Sequence, residues 1–164
     1  MREPSATAAI AAEILEGVEA RWALMGALAA LRYRAEPRFT TDVDILVERL
    51  DGLHAAFTAA GYDVRETGEG ETPDMLLVRG RGDRIDLLVA NVDYLETALA
   101  RATDHVITVE DVVVQKLIAW RARDRDDIAS ILDARAALDD AYIERWVGVF
   151  DVADRWAQVR ARRE

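Results

Sequence analysis

Arg38-Phe39-Thr40-Thr41-Asp42-Val43-Asp44-Ile45-Leu46-Val47 is the stretch whose reading decides the fold. Polar and apolar residues alternate from Asp42 to Val47, the mark of a half-buried strand. Side chains two apart on a strand share a face. Val43, Ile45 and Val47 therefore point into a core, while Asp42 and Asp44 point the other way, roughly 7 Å apart. Two acids on one strand face repel, and aspartate is a poor strand former. A divalent cation held by oxygen ligands would compensate both defects.

A second stretch repeats the design. In Arg84-Ile85-Asp86-Leu87-Leu88-Val89, the apolar positions Ile85, Leu87 and Val89 take one face and Asp86 takes the other. If the two strands are neighbours, three carboxylates converge. That set suits Mg²⁺ or Mn²⁺, up to a pair of ions roughly 4 Å apart that align an attacking oxygen with a leaving phosphate.

Outward from these strands, the chain reads as mixed α and β and then as helices only. A helix is expected over residues 7–20, a buried strand over Trp22 to Met25 ending at Gly26, and a helix over 27–33. Leu50 to Ala60 reads as a helix stopped by Gly61. Tyr62 to Glu66, Met75 to Arg79 and Arg84 to Val89 read as strands, separated by the turn clusters Gly68-Glu69-Gly70-Glu71 and Gly80-Arg81-Gly82-Asp83. Four helices follow: residues 92–102, Thr108 to Arg121 with Thr108 and Asp111 at capping-box spacing, Asp124 to Ala137, and one long helix from Asp139 to Arg160. The fold class is α/β: a small mixed sheet flanked by helices, with a C-terminal helical cap. The expected division is a sheet-bearing core over 1–103 and a cap over 104–164, packed as one compact unit with the cleft between them.

Composition narrows the function. The 164 residues carry a net charge of −10 and no cysteine. The charge argues against broad electrostatic binding to nucleic acid or an anionic membrane. Lack of cysteine excludes disulfides and thiolate metal sites and fits a cytoplasmic setting. No run approaches the ~20 uncharged apolar residues that span a bilayer. The acid-interrupted stretch after Met1 reads as an amphipathic helix, not a signal peptide.

The motifs Gly26-Ala27-Leu28-Ala29, then Arg38-x-Thr40-x-Asp42-x-Asp44, then Asp86, resemble the minimal nucleotidyltransferases of the DNA polymerase β-like superfamily. They are nearest to the group that holds the AbiEii-type and MenT-type toxins of toxin–antitoxin systems. The later stretch from Glu110 to Ala119, with Lys116-Leu117-x-Ala119, followed by Arg121 and Asp124-x-x-Asp127, is similar to that group's helical motif. The resemblance covers roughly residues 22–132. It implies that Asp42, Asp44 and Asp86 hold Mg²⁺, with Asp86 as a possible base. It implies that Gly26 opens the turn where the nucleotide's phosphates lie, that Lys116 reaches the triphosphate, and that Asp124 or Asp127 supports the site from the helical part. Arg38 is a candidate partner of the acidic cluster or of a phosphate, and with Gly26, Ala27, Lys116, Asp124 and Asp127 it makes up the expected nucleotide-binding set. Ala27 stands where the family often has glycine or serine, so a serine's role there is lost.

The implied reaction is attack on the α-phosphate of a nucleoside triphosphate with pyrophosphate leaving. The acceptor is an RNA 3′ end, a protein hydroxyl or a small molecule, and a cognate antitoxin is a candidate partner. The competing expectation is a non-catalytic nucleotidyltransferase-like protein that binds a nucleotide or a protein. Bland readings stand beside the sharp ones: Lys116 snorkelling from an apolar helix, Asp124 as an N-cap, Arg38 as a surface arginine. Neither His54 nor His105 has a partner at metal-ligand spacing, and Trp22, Trp120, Trp146 and Trp156 read as core.

Overall fold

Among the described residues, three helices end in one way, with a residue in the left-handed conformation followed by an apolar residue turning back into the core. The computed structural model describes residues 3–68, 70–134 and 137–161. Helix α1 (Pro4–Gly17) ends through Glu19 at φ 54°, and Ala20 N–H returns to Leu15 O at 3.1 Å. Helix α3 (Leu53–Ala59) ends through Gly61 at φ 86°, and Tyr62 N–H returns to Phe57 O at 3.1 Å. Helix α7 (Asp140–Val149) ends through Asp151 at φ 55°, and Val152 N–H returns to Val147 O at 2.8 Å. This six-to-one bond satisfies carbonyls the helix leaves open, and the apolar residue after it closes the turn.

The third of these turns corrects the sequence reading. The single helix expected from Asp139 to Arg160 is two, α7 and α8 (Ala153–Arg160). The break is Asp151, with Val152 buried beside Val147. Only Gly61 carried a readable stop signal. Glu19 and Asp151 adopt the same conformation without glycine, because burying Ala20 and Val152 outweighs the backbone cost.

The described chain forms two compact units. Residues 29–38 go with residues 108–164, and not with the sheet, where the sequence reading had put them. The physical reason is the attachment of Arg34 and Arg38 to Asp127, on the helix over Ala122–Ala134. The boundary after the sheet falls at Ile107, a few residues beyond the expected 103.

The first unit holds a five-stranded sheet in the order β1-β2-β5-β4-β3. Its strands are β1 (Trp22–Met25), β2 (Val43–Val47), β3 (Asp63–Thr67), β4 (Met75–Gly80) and β5 (Asp83–Val89). Only β2 and β5 run parallel, and the other pairs are antiparallel. A parallel pair needs a crossover, supplied by α3 and the β3–β4 excursion. The β4–β5 hairpin closes on Arg81 and Gly82, both at positive φ (55° and 85°), the geometry of a two-residue type I′ turn. Buried Asp83 opens β5 and accepts from Thr7 Oγ1 at 2.6 Å and Tyr62 Oη at 2.9 Å, tying α1 and the entry of β3 to the hairpin. Val43, Ile45, Val47, Ile85 and Leu87 bury with Ala11, Leu15 and Phe57 on one face of the sheet.

The second unit is helical: α5 (Val109–Ala119), α6 (Ala122–Ala134), α7 and α8, with the end of α2 (Gly26–Leu31), the helix that links the two units in sequence. Thr108 caps α5 by accepting from Asp111 N–H at 3.3 Å. Asp111, fully buried, accepts from Thr108 Oγ1 at 2.7 Å and Tyr142 Oη at 2.6 Å, which ties α7 to α5. Helix α6 ends within the described residues at Ala134; the expected extension to Ala137 runs through residues 135–136, outside them. Among the described residues no helix is long and apolar enough to cross a membrane.

Candidate active site

The register of the parallel pair sets the site. Asp44 on β2 lies directly opposite Asp86 on β5, and Met25 at the end of β1 lies opposite Asp44 on its other side. Opposed residues share a face, so Asp44 and Asp86 stand side by side on the face away from the buried Val43, Ile45, Ile85 and Leu87. Asp42 sits one residue before β2 and aligns with Arg84.

Gly26 belongs to the same place for a steric reason. Its φ is +63°, and a Cβ added there would lie 2.2 Å from Asp44 Oδ2. A side chain at this position would press on the Asp44 carboxylate. Ala27 follows it as the second residue of α2 and is half-buried.

Two arginines that the sequence reading did not weigh share the face. Arg79 Nη2 lies 2.6 Å from Asp86 Oδ1, and Arg84 Nε lies 3.0 Å from Asp42 Oδ1. The Arg79 contact is an ion pair by distance, but no donor is aligned on the buried Asp86 Oδ1, which has no hydrogen bond. Arg79 spends its other nitrogen on the carbonyls of Val78 and Ile85, both at 2.9 Å. The Arg84–Asp42 pair is about half exposed (58% and 46%), so it contributes only about 0–1 kcal/mol. Among the described residues, no three His, Asp or Glu side chains stand close enough together to share a metal ion. The strands bring two of the expected carboxylates together, and the third, Asp42, pairs with Arg84. The signal that would have revealed these pairs is an arginine on each of β4 and β5, Arg79 and Arg84, close in the chain to Asp86.

The second unit gathers the other expected residues into one ion network. Asp127, fully buried, accepts from Arg38 Nε at 2.7 Å and Arg38 Nη2 at 3.1 Å, from Lys116 Nζ at 2.8 Å, and from Arg34 Nη1. Asp124, also fully buried, takes Lys116 Nζ at 3.2 Å and Arg121 Nε at 2.6 Å. Burial alone would push the Asp127 carboxyl up; hydrogen bonds from Arg38 and Lys116 outweigh it, and the group is held below the ordinary carboxylate range. Asp124 is held low in the same way, burial opposed by Arg121 and Lys116. The hydrogen bond to Asp127 raises the Arg38 guanidinium further.

These contacts set aside the bland reading of three residues. Lys116 does not snorkel: its side chain is 6% exposed and its ammonium lies between two carboxylates. It is the one lysine among 21 basic residues. A compact point charge serves two carboxylates at once. Asp124 is not the N-cap of α6, which begins at Ala122. It is the third helical residue and reaches back to Arg121 N–H at 3.0 Å, half of a capping box. Arg38 is no plain surface arginine, being bidentate on Asp127.

The histidines stay outside both groups. His54 Nδ1 meets Glu66 Oε1 at 2.7 Å on the surface, and His105 stacks on Trp22 with ring centroids 4.2 Å apart. Trp22, Trp146 and Trp156 are buried, while Trp120 is half-buried beneath the guanidinium groups of Arg125 and Arg155.

No family model and no curated protein matches this chain. Solved structures do. The solution structure of the antibiotic-resistance factor ANT(2'')-Ia aligns over 99% of this chain and 98% of that one, at TM-score 0.60 and 14% identity. The crystal structure of ANT(2'')-Ia in complex with adenylyl-2''-tobramycin aligns over 90% and 97%, at TM-score 0.59 and 14% identity. An antigenic nucleotidyltransferase-like protein from Paracoccidioides brasiliensis aligns over 93% and 89%, at TM-score 0.47 and 16% identity. The likeness to the first two is one of fold: a mixed five-stranded sheet flanked by helices, in the nucleotidyltransferase-like class.

Proposed function

We propose that this chain is a divalent-metal-dependent nucleotidyltransferase that moves a nucleoside monophosphate from a nucleoside triphosphate to an acceptor hydroxyl. The observation that carries the reading is the in-register pair Asp44–Asp86 beside the positive-φ backbone at Gly26, on a nucleotidyltransferase-like fold. The donor set fits a hard cation: all ligands are carboxylate oxygens, and the buried Asp86 Oδ1 has no aligned donor. Asp44 and Asp86 would hold Mg²⁺ or Mn²⁺. Asp42 would join them, since the weak, exposed pair with Arg84 is easily outcompeted by a divalent ion. Bound there, the ion supplies charge neutralisation on the reacting phosphate and alignment of the attacking oxygen.

The chain's own groups do the rest. Gly26 lets the phosphates approach the carboxylates without a side chain in the way. Asp86 receives the proton of the acceptor hydroxyl as its oxygen bonds to the α-phosphorus and pyrophosphate departs. Of the three acceptor classes, a small molecule is the best supported. The net charge of −10 disfavours an RNA held by broad electrostatics, and a structural neighbour is complexed with an adenylylated small molecule.

A second reading has its own support. Arg79 and Arg84 already pair with Asp86 and Asp42, which suits a nucleotidyltransferase-like protein that binds a nucleotide, or a partner such as an antitoxin, without chemistry. One experiment separates the two. The protein is incubated with each α-³²P nucleoside triphosphate and Mg²⁺, against total RNA, lysate protein and a small-molecule extract in separate arms. Label in one fraction, lost in Asp44→Asn, supports transfer and names the acceptor class. No label in any arm, with a nucleotide-induced rise in melting temperature that is equal in wild type and Asp42→Asn/Asp44→Asn, refutes it.

A further inference from the structure

Arg79 passes over the carboxylate nearest to it. It lies on the same sheet face as Asp44 and Asp86, because Leu76 and Val78 of β4 take the buried face. Directly opposite it stand Arg84 on β5 and the exposed Asp63 on β3. Opposed unlike charges attract and opposed like charges repel, so Asp63 is the partner that position favours. Arg79 Nη2 instead lies 2.6 Å from Oδ1 of Asp86, its diagonal neighbour on the side of Arg84. All of these residues belong to the first unit.

The guanidinium is anchored by the backbone and not by the carboxylate. Its Nη1 donates to Val78 O and Ile85 O, both at 2.9 Å. Val78 and Ile85 are paired across β4 and β5, so the strands themselves fix the cation. The buried Asp86 Oδ1 receives charge from it but no aligned N–H. An oxygen in that state keeps its lone pairs for another ligand. Asp44, in register with Asp86, adds a second negative charge. Arg79 compensates the two carboxylates without closing the oxygen that a divalent ion would take.

We propose that Arg79 is a positioning residue for the metal: a backbone-fixed counter-cation that neutralises and aims Asp86 in the metal-free protein and lowers the site's affinity for the divalent ion. The inference rests on the metal reading of Asp44 and Asp86. It reconciles that reading with the Arg79–Asp86 pair, because the ion would take Asp86 by direct coordination while the arginine acts by charge alone. A fixed positive charge beside the ion repels it. Occupancy therefore demands more metal than the carboxylates alone would require.

Mn²⁺ binding without nucleotide, followed by loss of the free-ion EPR signal, tests this. Arg79→Gln keeps a donor for the carbonyls and removes the charge. It should bind Mn²⁺ about three- to thirty-fold more tightly than wild type, as expected on losing a partly buried opposing charge. Arg79→Met, which keeps the stem but not the charge, should do the same. Arg79→Lys restores the charge and should return the affinity to within about threefold of wild type; a packing role would be rescued by methionine as well. Arg84→Gln should change the affinity less than Arg79→Gln, since its pair with Asp42 is half exposed. One measurement needs no variant. Phenylglyoxal labelling of the wild type, read by peptide mass spectrometry, should modify Arg79 faster with Mg²⁺ than without, because the ion draws Asp86 away from Nη2. Arg160, paired with Glu144 on the second unit, should not respond. Mn²⁺ affinity that is equal or weaker in Arg79→Gln and Arg79→Met, a larger gain in Arg84→Gln, or Arg79 labelling indifferent to Mg²⁺ overturns the inference and leaves the metal reading standing. No Mn²⁺ binding by any of these proteins sinks the metal reading, and the inference with it.

Discussion

Replacing Gly26 by alanine tests the geometry on which the site depends. At φ +63° an alanine pays the left-handed cost of about 1–2 kcal/mol. Its Cβ would also lie 2.2 Å from Asp44 Oδ2 and 3.1 Å from Asp44 Cβ, well inside the roughly 3.5 Å of ordinary contact. The obstacle is a side chain, so Asp44 can swing aside at an off-rotamer cost of about 0.5–1.5 kcal/mol. The sum is about 1.5–3.5 kcal/mol of lost stability. Gly17→Ala is the control. Gly17 lies at the end of α1 with nothing within 4 Å, so alanine there should be neutral or stabilise by up to about 1 kcal/mol. Urea unfolding followed by tryptophan fluorescence measures both, with the slope unchanged. In an Asp44→Ala background the clash with the carboxylate is gone, and the cost of Gly26→Ala should fall to the backbone part, about 1–2 kcal/mol. A Gly26→Ala protein within about 0.5 kcal/mol of wild type, or a cost that does not change when Asp44 is truncated, would show that the turn does not press on Asp44.

Lys116→Met should cost about 3–5 kcal/mol by urea unfolding, because it leaves Asp124 and Asp127 buried with one cation fewer; a loss under 1 kcal/mol would mean the lysine is not bridging them. Both carboxyls have folded values depressed below the ordinary 3.8, so their stabilisation is present above that pH and is lost as pH falls through the lower folded values. Accordingly the Asp124 and Asp127 carboxyl carbon resonances should not titrate at pH 3.8, and the urea midpoint should drop below it; titration at or above 3.8 contradicts the network. Ile45→Ala, at a fully buried position, should cost about 2–5 kcal/mol, whereas Asp44→Asn one residue earlier should leave stability unchanged or slightly raised, since it removes repulsion from Asp86. The reverse order in denaturation would invert the assigned facing of β2.

Sequence periodicity by itself determined most of the elements and the facing of the two acidic strands. The alternation Val43-Asp44-Ile45 and Ile85-Asp86-Leu87 has a period of two, and burying one set necessarily turns the aspartates to the other face. Turn chemistry at Gly26 and Gly61 was legible for the same reason: positive φ selects glycine. Three things were decided only by tertiary structure. Glu19 and Asp151 enter the left-handed region because the residue after each is buried, a long-range gain that local propensity does not encode. The partners of Asp42 and Asp86 depend on which strands are neighbours, since Arg79 meets Asp86 only through the pairing of β4 with β5. Lys116 looked like a lysine on an apolar helix, free to reach solvent or a phosphate. Its place between Asp124 and Asp127 follows from packing α5 against α6, where a cation shut off from water must find carboxylates to remain charged.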